Sequence, residues 1–208
     1  MAEDKDTRVR LLESAKQEFL EKGYAKASLR TICKNAGVTT GALYFFFQDK
    51  NHLFAEIVDE PLRELREILM AHMAEDEKIM TSDNWLHLHS DLHEQVDEGL
   101  ELAVVHHLYA HYDIFILLLT GAQGSSYETC ADDMVAMLEK SYQNIISMMI
   151  QKNPKLQTNE YMLHWLAHMN IDAFVHLLTH ERDEQKALEH AKKVLHYIIS
   201  GWMELIVY

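Results

Sequence analysis

Proline and cysteine are almost missing from this sequence: two of each occur in 208 residues, beside only seven glycines. Sheet-rich folds spend many more turn residues, so this scarcity predicts an all-α fold of long helices with short connections. Cys33 and Cys130 stand far apart with no metal-type spacing around them and read as reduced thiols, which suits a cytoplasmic protein. No apolar run approaches the ~20 residues that span a bilayer, so no membrane partner is expected. The opening MAEDKDTRVR has no apolar stretch, so it does not read as a signal peptide. Also lacking are a glycine-rich phosphate loop, a Gly-x-Ser-x-Gly elbow and a complete metal motif, so neither enzyme chemistry nor a cofactor is expected.

Positive charge is scarce as well, with a net −14 overall, but its distribution is uneven. Residues 1–52 hold nine Lys/Arg against seven Asp/Glu, a balance of +2, whereas residues 53–208 hold ten against twenty-six, a balance of −16. Thirteen of the fourteen histidines also lie beyond residue 52. The asymmetry predicts a small, mildly basic head and a large acidic body. The body should repel polyanions, so any nucleic-acid contact belongs to the head.

Helical periodicity runs through the chain. A first helix is expected from Asp4 or Asp6 to Lys22, with Val9, Leu12, Ala15 and Phe19 as its buried stripe and Gly23 as its stop. Ser28 caps a short second helix carrying Leu29, Ile32 and Cys33, which ends at Ala36-Gly37. Thr39 caps a third, from Gly41 to Phe45, and Asp49 caps a long fourth with Leu53, Ile57, Leu65, Ile68 and Leu69 on its apolar stripe. Pro61 should kink or split that helix. Further helices are expected over 82–98, 100–119, 126–152, 158–180 and 183–207, with Ser125 or Ser126 available as a cap.

Two short amphipathic helices joined by Ala36-Gly37-Val38 make a helix-turn-helix pattern, although spacing alone also admits a plain three-helix turn. A seven-residue third helix is ~10 Å long at 1.5 Å per residue and fits a major groove ~12 Å wide. Leu43 and Phe47 would anchor its back, leaving Thr39, Thr40, Gly41 and Tyr44 outward.

The stretch from Ala27 to Leu53, ASLRTICKNAGVTTGALYFFFQDKNHL, resembles the N-terminal DNA-binding region of the TetR family of bacterial regulators. The matching positions are Ser28, Ile32-Cys33, Ala36-Gly37-Val38, Thr39, Gly41, Leu43-Tyr44, Phe45-Phe46-Phe47, Lys50 and Leu53, within about an eighth of the chain. The resemblance implies phosphate contacts from Ser28, Arg30, Tyr44 and Lys50, and an approach of Thr39, Thr40 and Gly41 to base edges. It departs from the family at Phe45 and Phe46, where Tyr or His is usual, and at Cys33, which replaces Ala and reads as a small buried apolar group. The domains so implied are a DNA-binding head over 1–50 and a ligand-binding, dimerising body over 51–208. Together they would make a dimeric repressor released from operator DNA by a small molecule.

In the body, the stretch 183–207 carries Val194, Ile198 and Trp202, and 158–180 carries Met162, Trp165 and Met169. These faces suggest a four-helix homodimer interface about a two-fold axis, or else completion of the monomer core. Trp85, Leu88, Leu92, Tyr109, Tyr112, Phe115, Met134, Met137 and Phe174 are candidates to line a pocket for an apolar or amphipathic effector, or to be ordinary core. Asp113 or Glu128, if buried, would favour a cationic ligand. Histidines recur four apart, as His164, His168, His176 and His180, as His89 and His93, and as His107 and His111. That spacing leaves a second reading open, a metal- or haem-responsive protein (His72 for haem), along with pH sensing.

Overall fold

The computed structural model describes residues 2–81 and 93–207. Within them lie nine helices and no strand, in keeping with the predicted all-α class. We label them α1 (Ala2–Lys26), α2 (Leu29–Ala36), α3 (Thr40–Phe46), α4 (Lys50–Thr81), α5 (His93–Ala110), α6 (Tyr112–Gly121), α7 (Cys130–Lys152), α8 (Glu160–His180) and α9 (Glu184–Val207). They form two compact units. The first takes Met1–Glu64 with His111–Cys130, and the second takes Leu65–Ala110 with Ala131–Tyr208. The head expected over residues 1–50 lies wholly inside the first unit, which also holds the start of α4 and all of α6.

In the first unit α1 packs on α2, α3 and α6. Its fully buried positions are Leu11, Ala15 and Phe19, together with Glu18. Val9, expected in the stripe, is 44% exposed, and Leu12 is only half-buried. Both sets fit helical spacing. The structure selects the second because the face covered by three helices is rotated towards Glu18, whose carboxylate has partners there. On α4 the buried stripe of this unit is Leu53, Phe54, Val58 and Leu62, one helical column away from the expected Ile57. Phe19, Tyr24, Phe54 and Tyr127 form an aromatic knot at the centre, with Phe19 and Phe54 edge-to-face at 5.0 Å and Tyr24 and Phe54 at 5.1 Å. Such pairs add about 0.5–1.5 kcal/mol beyond their buried area.

Helix α4 is not split at Pro61. The first unit is closed by the segment after α6. Asn51 Nδ2 donates to Ser126 Oγ at 2.9 Å, the Ser126 amide donates to Asn51 Oδ1 at 3.0 Å, and the Tyr127 hydroxyl donates to Asp59. Here Ser125 does not cap the next helix. It secures the turn, its hydroxyl donating to Ala122 O at 2.6 Å and accepting from the Tyr127 amide, so α7 begins only at Cys130.

Among the described residues of the second unit lie two apolar clusters. Ile145, Ile146 and Met149 of α7 meet Leu156 and Leu163. Val105 of α5 meets Leu177, Ala187 and Ala191 of α8 and α9, with Tyr109, Phe174 and Leu188 packed against them. The break expected near residue 99 is absent. Gly99 sits inside α5, and the chain breaks instead at His111 (φ −118°, ψ 33°), which makes no side-chain cap. Neither glycine nor proline marks that point, so local sequence offers no stop signal.

Gly23 interrupts α1 with φ 70° and ψ 165°, a region that only glycine enters without strain. A Cβ there would also lie 3.3 Å from the Gly121 carbonyl oxygen of α6. Gly23→Ala should therefore lower stability by about 1–3 kcal/mol. Urea unfolding checks this, and an unchanged midpoint would show that α1 ends equally well in another backbone conformation.

Candidate nucleic-acid interface

Helix α2 is capped by sequence and held by α1. The Ser28 hydroxyl accepts from the Thr31 amide at 3.4 Å. At the other end Gly37 adopts the left-handed conformation (φ 68°), so that its own amide reaches Lys34 O at 3.2 Å and the Val38 amide reaches Cys33 O at 2.9 Å, a Schellman ending. Helix α1 then supplies a partner at each end. Glu18 Oε1 accepts from the Ser28 amide at 3.1 Å, while Arg10 Nη1 donates to Ala36 O at 3.1 Å and Ser14 Oγ to Ile32 O at 2.9 Å. Cys33 is buried, and burial pushes its thiol above the usual range, so it is packed as an apolar group and not poised as a thiolate.

Helix α3 begins at the Thr39 cap, whose hydroxyl accepts from the Ala42 amide at 3.2 Å. Leu43 and Phe47 are buried, as expected of its anchors. Thr39, Thr40 and Gly41 are exposed beside Tyr44 at 55% and Phe45 at 77%. The structure thus brings four of the expected DNA contacts, Thr39, Thr40, Gly41 and Tyr44, onto one short surface. Arg30 is exposed on α2 and Ser28 half-buried at its start.

Lys50 has a different setting. Its Nζ donates to Ala25 O at 3.3 Å and stands 4.6 Å from the Tyr24 ring centroid. Burial lowers its pKa, partly offset by the charge of Glu18. Around Glu18 the balance runs the other way. Its carboxylate takes the Lys22 ammonium at 2.8 and 3.0 Å as well as the Ser28 amide. The Lys22 hydrogen bond chiefly holds the carboxyl below the ordinary glutamate value, against burial, with the Ser28 amide and the Lys22 and Lys50 charges assisting. Glu18 is a site residue that the sequence pattern alone does not single out. The available signal was a lone charge beside Phe19 on an otherwise apolar helical face.

The expected effector residues are divided. Trp85, Leu88 and Leu92 lie outside the described residues, as does His89. Tyr112 and Phe115 belong to the first unit, and Tyr109, Met134, Met137 and Phe174 to the second. Tyr109 and Phe174 pack on the same cluster, and the Tyr109 hydroxyl donates to Glu181 O at 2.7 Å, at the end of α8. Asp113 and Glu128 are exposed, so the condition set for a cationic ligand is not met.

On α8 and α9, Trp165 (43%), Val194 (42%), Tyr161 (71%) and Tyr197 (72%) are exposed, and Met162 and Met169 are half-buried. Ile198 is already buried within the chain, while Trp202 lies on α9 beyond the residues whose side chains are described. A groove of about 620 Å³ runs between the two helices, lined by Met169, Phe174, Leu177, Val194 and Leu195 and by His176, His180 and His190. Two of the expected histidine pairs meet on α8, with ring centroids 4.6 Å apart for His164 and His168 and 4.0 Å for His176 and His180. His164 Nδ1 also contacts Glu139 at 2.9 Å.

An exposed second helix in a glycine-turned pair is the arrangement of a helix-turn-helix. Residues 11–57 match the sequence model of bacterial regulatory proteins of the tetR family. The chain is 41% identical over 69 residues to the HTH-type transcriptional repressor BepR of Brucella suis, covering 33% of each chain. It is 46% identical over 55 residues to the HTH-type transcriptional regulator AcrR of Shigella flexneri, covering 26% of each. It thus matches a third or less of the length of these relatives. Over 97% of its length it is similar to NalD of Pseudomonas aeruginosa, the secondary repressor of the MexAB-OprM multidrug efflux pump, covering 98% of that chain with a TM-score of 0.61 at 23% identity. That likeness shows the fold. The N-terminal region is a TetR-family helix-turn-helix domain, as the stretch Ala27–Leu53 implied.

The lowered pKa of Glu18 has a definite pH consequence. Stability contributed by its carboxylate is complete above the unfolded value of about 4.3 and is lost as pH falls through the lower folded value. Glu18→Gln should therefore be less stable than the native chain at pH 6, with the gap narrowing towards pH 3. Thermal unfolding of both proteins across that range checks the sign, and a gap that widened on acidification would contradict it.

Proposed function

We propose that this protein is a dimeric transcriptional repressor that binds operator DNA through α2 and α3 and is released by a small apolar or amphipathic molecule bound in its helical body. The observation that carries this reading is the exposed surface of Thr39, Thr40, Gly41 and Tyr44 on a seven-residue helix within a TetR-family domain. Exposed Arg30 and half-buried Ser28 at the α2 N-terminus are assigned to phosphates. Lys50 is assigned to phosphate too, with one of its three N–H donors engaged at Ala25 O and its ammonium beside the Tyr24 ring. The effector class is supported by the partly buried aromatics Tyr109 and Phe174, and by the efflux-pump repressor NalD among the structural relatives.

Enrichment of duplexes from a random-sequence pool tests the reading directly. Arg30→Ala should weaken every duplex similarly and flatten the salt dependence, since a phosphate contact carries no base information. Thr40→Val should instead change which sequence is preferred. Loss of sequence preference in Arg30→Ala, with the salt slope intact, would reverse these roles.

The homodimer is assigned to α8 and α9, where Tyr161, Trp165, Val194 and Tyr197 add exposed apolar surface beside the groove. An exposed face of this kind marks an association site. Sedimentation at micromolar concentration should give a dimer, and Trp165→Asp with Tyr197→Asp should give a folded monomer. A native chain that sediments as a monomer would overturn the assignment.

A further inference from the structure

Helix α3 presents two neighbouring columns, because residues four apart share a helical face. Thr40 and Tyr44 form one column, and each carries a hydroxyl. Gly41 and Phe45 form the other, which has no side-chain hydrogen-bonding group. Phe45 is the most exposed large hydrophobic residue among those described, at 77%, and its ring is braced edge-to-face by Phe46 at 5.0 Å. The space in front of Gly41 is open: an added Cβ would meet only Thr39 Oγ1, at 3.8 Å. Nothing in the chain's own packing thus demands glycine there. Gly41 therefore leaves bare surface on the same face of α3 as Phe45, one turn towards the N-terminus.

We propose that Phe45 is a specificity-determining residue that recognises thymine by apolar contact with its C5-methyl group in the major groove. This rests on the operator-binding reading above. Of the groups that base pairs display in that groove, the thymine methyl is the one that an apolar ring can recognise without leaving a donor or acceptor unpaired. A polar residue at position 45 could contact phosphate instead. Phenylalanine cannot, so its contact must be with apolar groups. Its pairing with Gly41 lets the helix come close enough for a ring and a methyl group to touch.

The test uses the full chain and a duplex enriched by it from a random-sequence pool. Each thymine of that duplex is replaced singly by deoxyuracil, which lacks only the C5-methyl group. At the position facing Phe45 the native protein should lose about fourfold in affinity, the equivalent of the ~0.8 kcal/mol that one buried methyl-sized group contributes. Phe45→Ala should bind the thymine and deoxyuracil duplexes equally, with its salt slope unchanged. Phe45→Leu should keep part of the discrimination. Because Phe45 is exposed, these variants should retain native circular dichroism, and the deoxyuracil scan of the native protein needs no variant. Insensitivity at every thymine, or equal sensitivity in Phe45→Ala, would overturn the proposal while leaving the regulator reading intact. Failure to enrich any sequence would defeat that reading itself.

Discussion

The α1–α2 register is the constraint on which the head depends. Glu18 and Arg10 lie eight residues apart on α1, about 12 Å along its axis. They hold the N-cap Ser28 and the last residue, Ala36, of an eight-residue α2, which is about equally long. The two helices therefore run antiparallel with their ends matched. A carboxylate meets the amide end of α2 and a guanidinium meets its carbonyl end, each opposite the favourable partial charge of the helix dipole. Gly37 and Thr39 then lead directly into α3, so any slip of α2 along α1 would displace the exposed residues of α3 by the same distance. Glu18 is the more exacting contact because it is buried, and its ion pair with Lys22 is what makes a charge tolerable there.

Much of this arrangement was legible in the sequence because it is written in local chemistry. Ser28, Thr39 and Asp49 each cap the helix that follows them, and Gly37 ends α2 in the conformation that glycine alone adopts cheaply. The less legible features are those set by tertiary neighbours. Whether Val9 or Leu11 faces inward depends on which helices cover α1, and both satisfy its period. Likewise Leu53 and Leu65 of α4 are buried as expected, but Phe54, Val58 and Leu62 take the place of Ile57 because the aromatic knot and the segment after α6 claim that face. Ile198 was expected at a partner and is instead buried in its own chain, while Tyr161 and Tyr197 carry the exposure. Amphipathic spacing reports that a face is apolar, not which molecule covers it.

The three phenylalanines at the end of α3 divide labour according to burial. Phe47 closes the core, with the Arg8 guanidinium 5.7 Å from its ring centroid. Phe46 is half-buried and braces its neighbour, and Phe45 is left outside. An exposed phenylalanine is unfavourable in water, so it constitutes a standing cost for the isolated head and a gain once covered. On the operator-binding reading, replacing polar residues here removes hydrogen bonds to phosphate, which are indifferent to sequence. It adds apolar contact, which is not. The expected result is a head that binds any duplex more weakly but discriminates more sharply. Two heads in a dimer then recover affinity, because the second binds at a high effective concentration once the first is seated.

Charge distribution works in the same direction. Residues 53–208 carry −16 against +2 for residues 1–52, so the field of the whole chain repels a polyanion at long range. At physiological ionic strength that field is screened beyond about 8 Å, whereas a cation at a phosphate is in direct contact. Lowering the salt therefore strengthens two opposed effects, the local attraction at α2 and α3 and the repulsion from the acidic body. A uniformly basic protein gains only the first. On the operator-binding reading, affinity for duplex should therefore rise less steeply on lowering the salt than the local contacts of α2 and α3 alone would give.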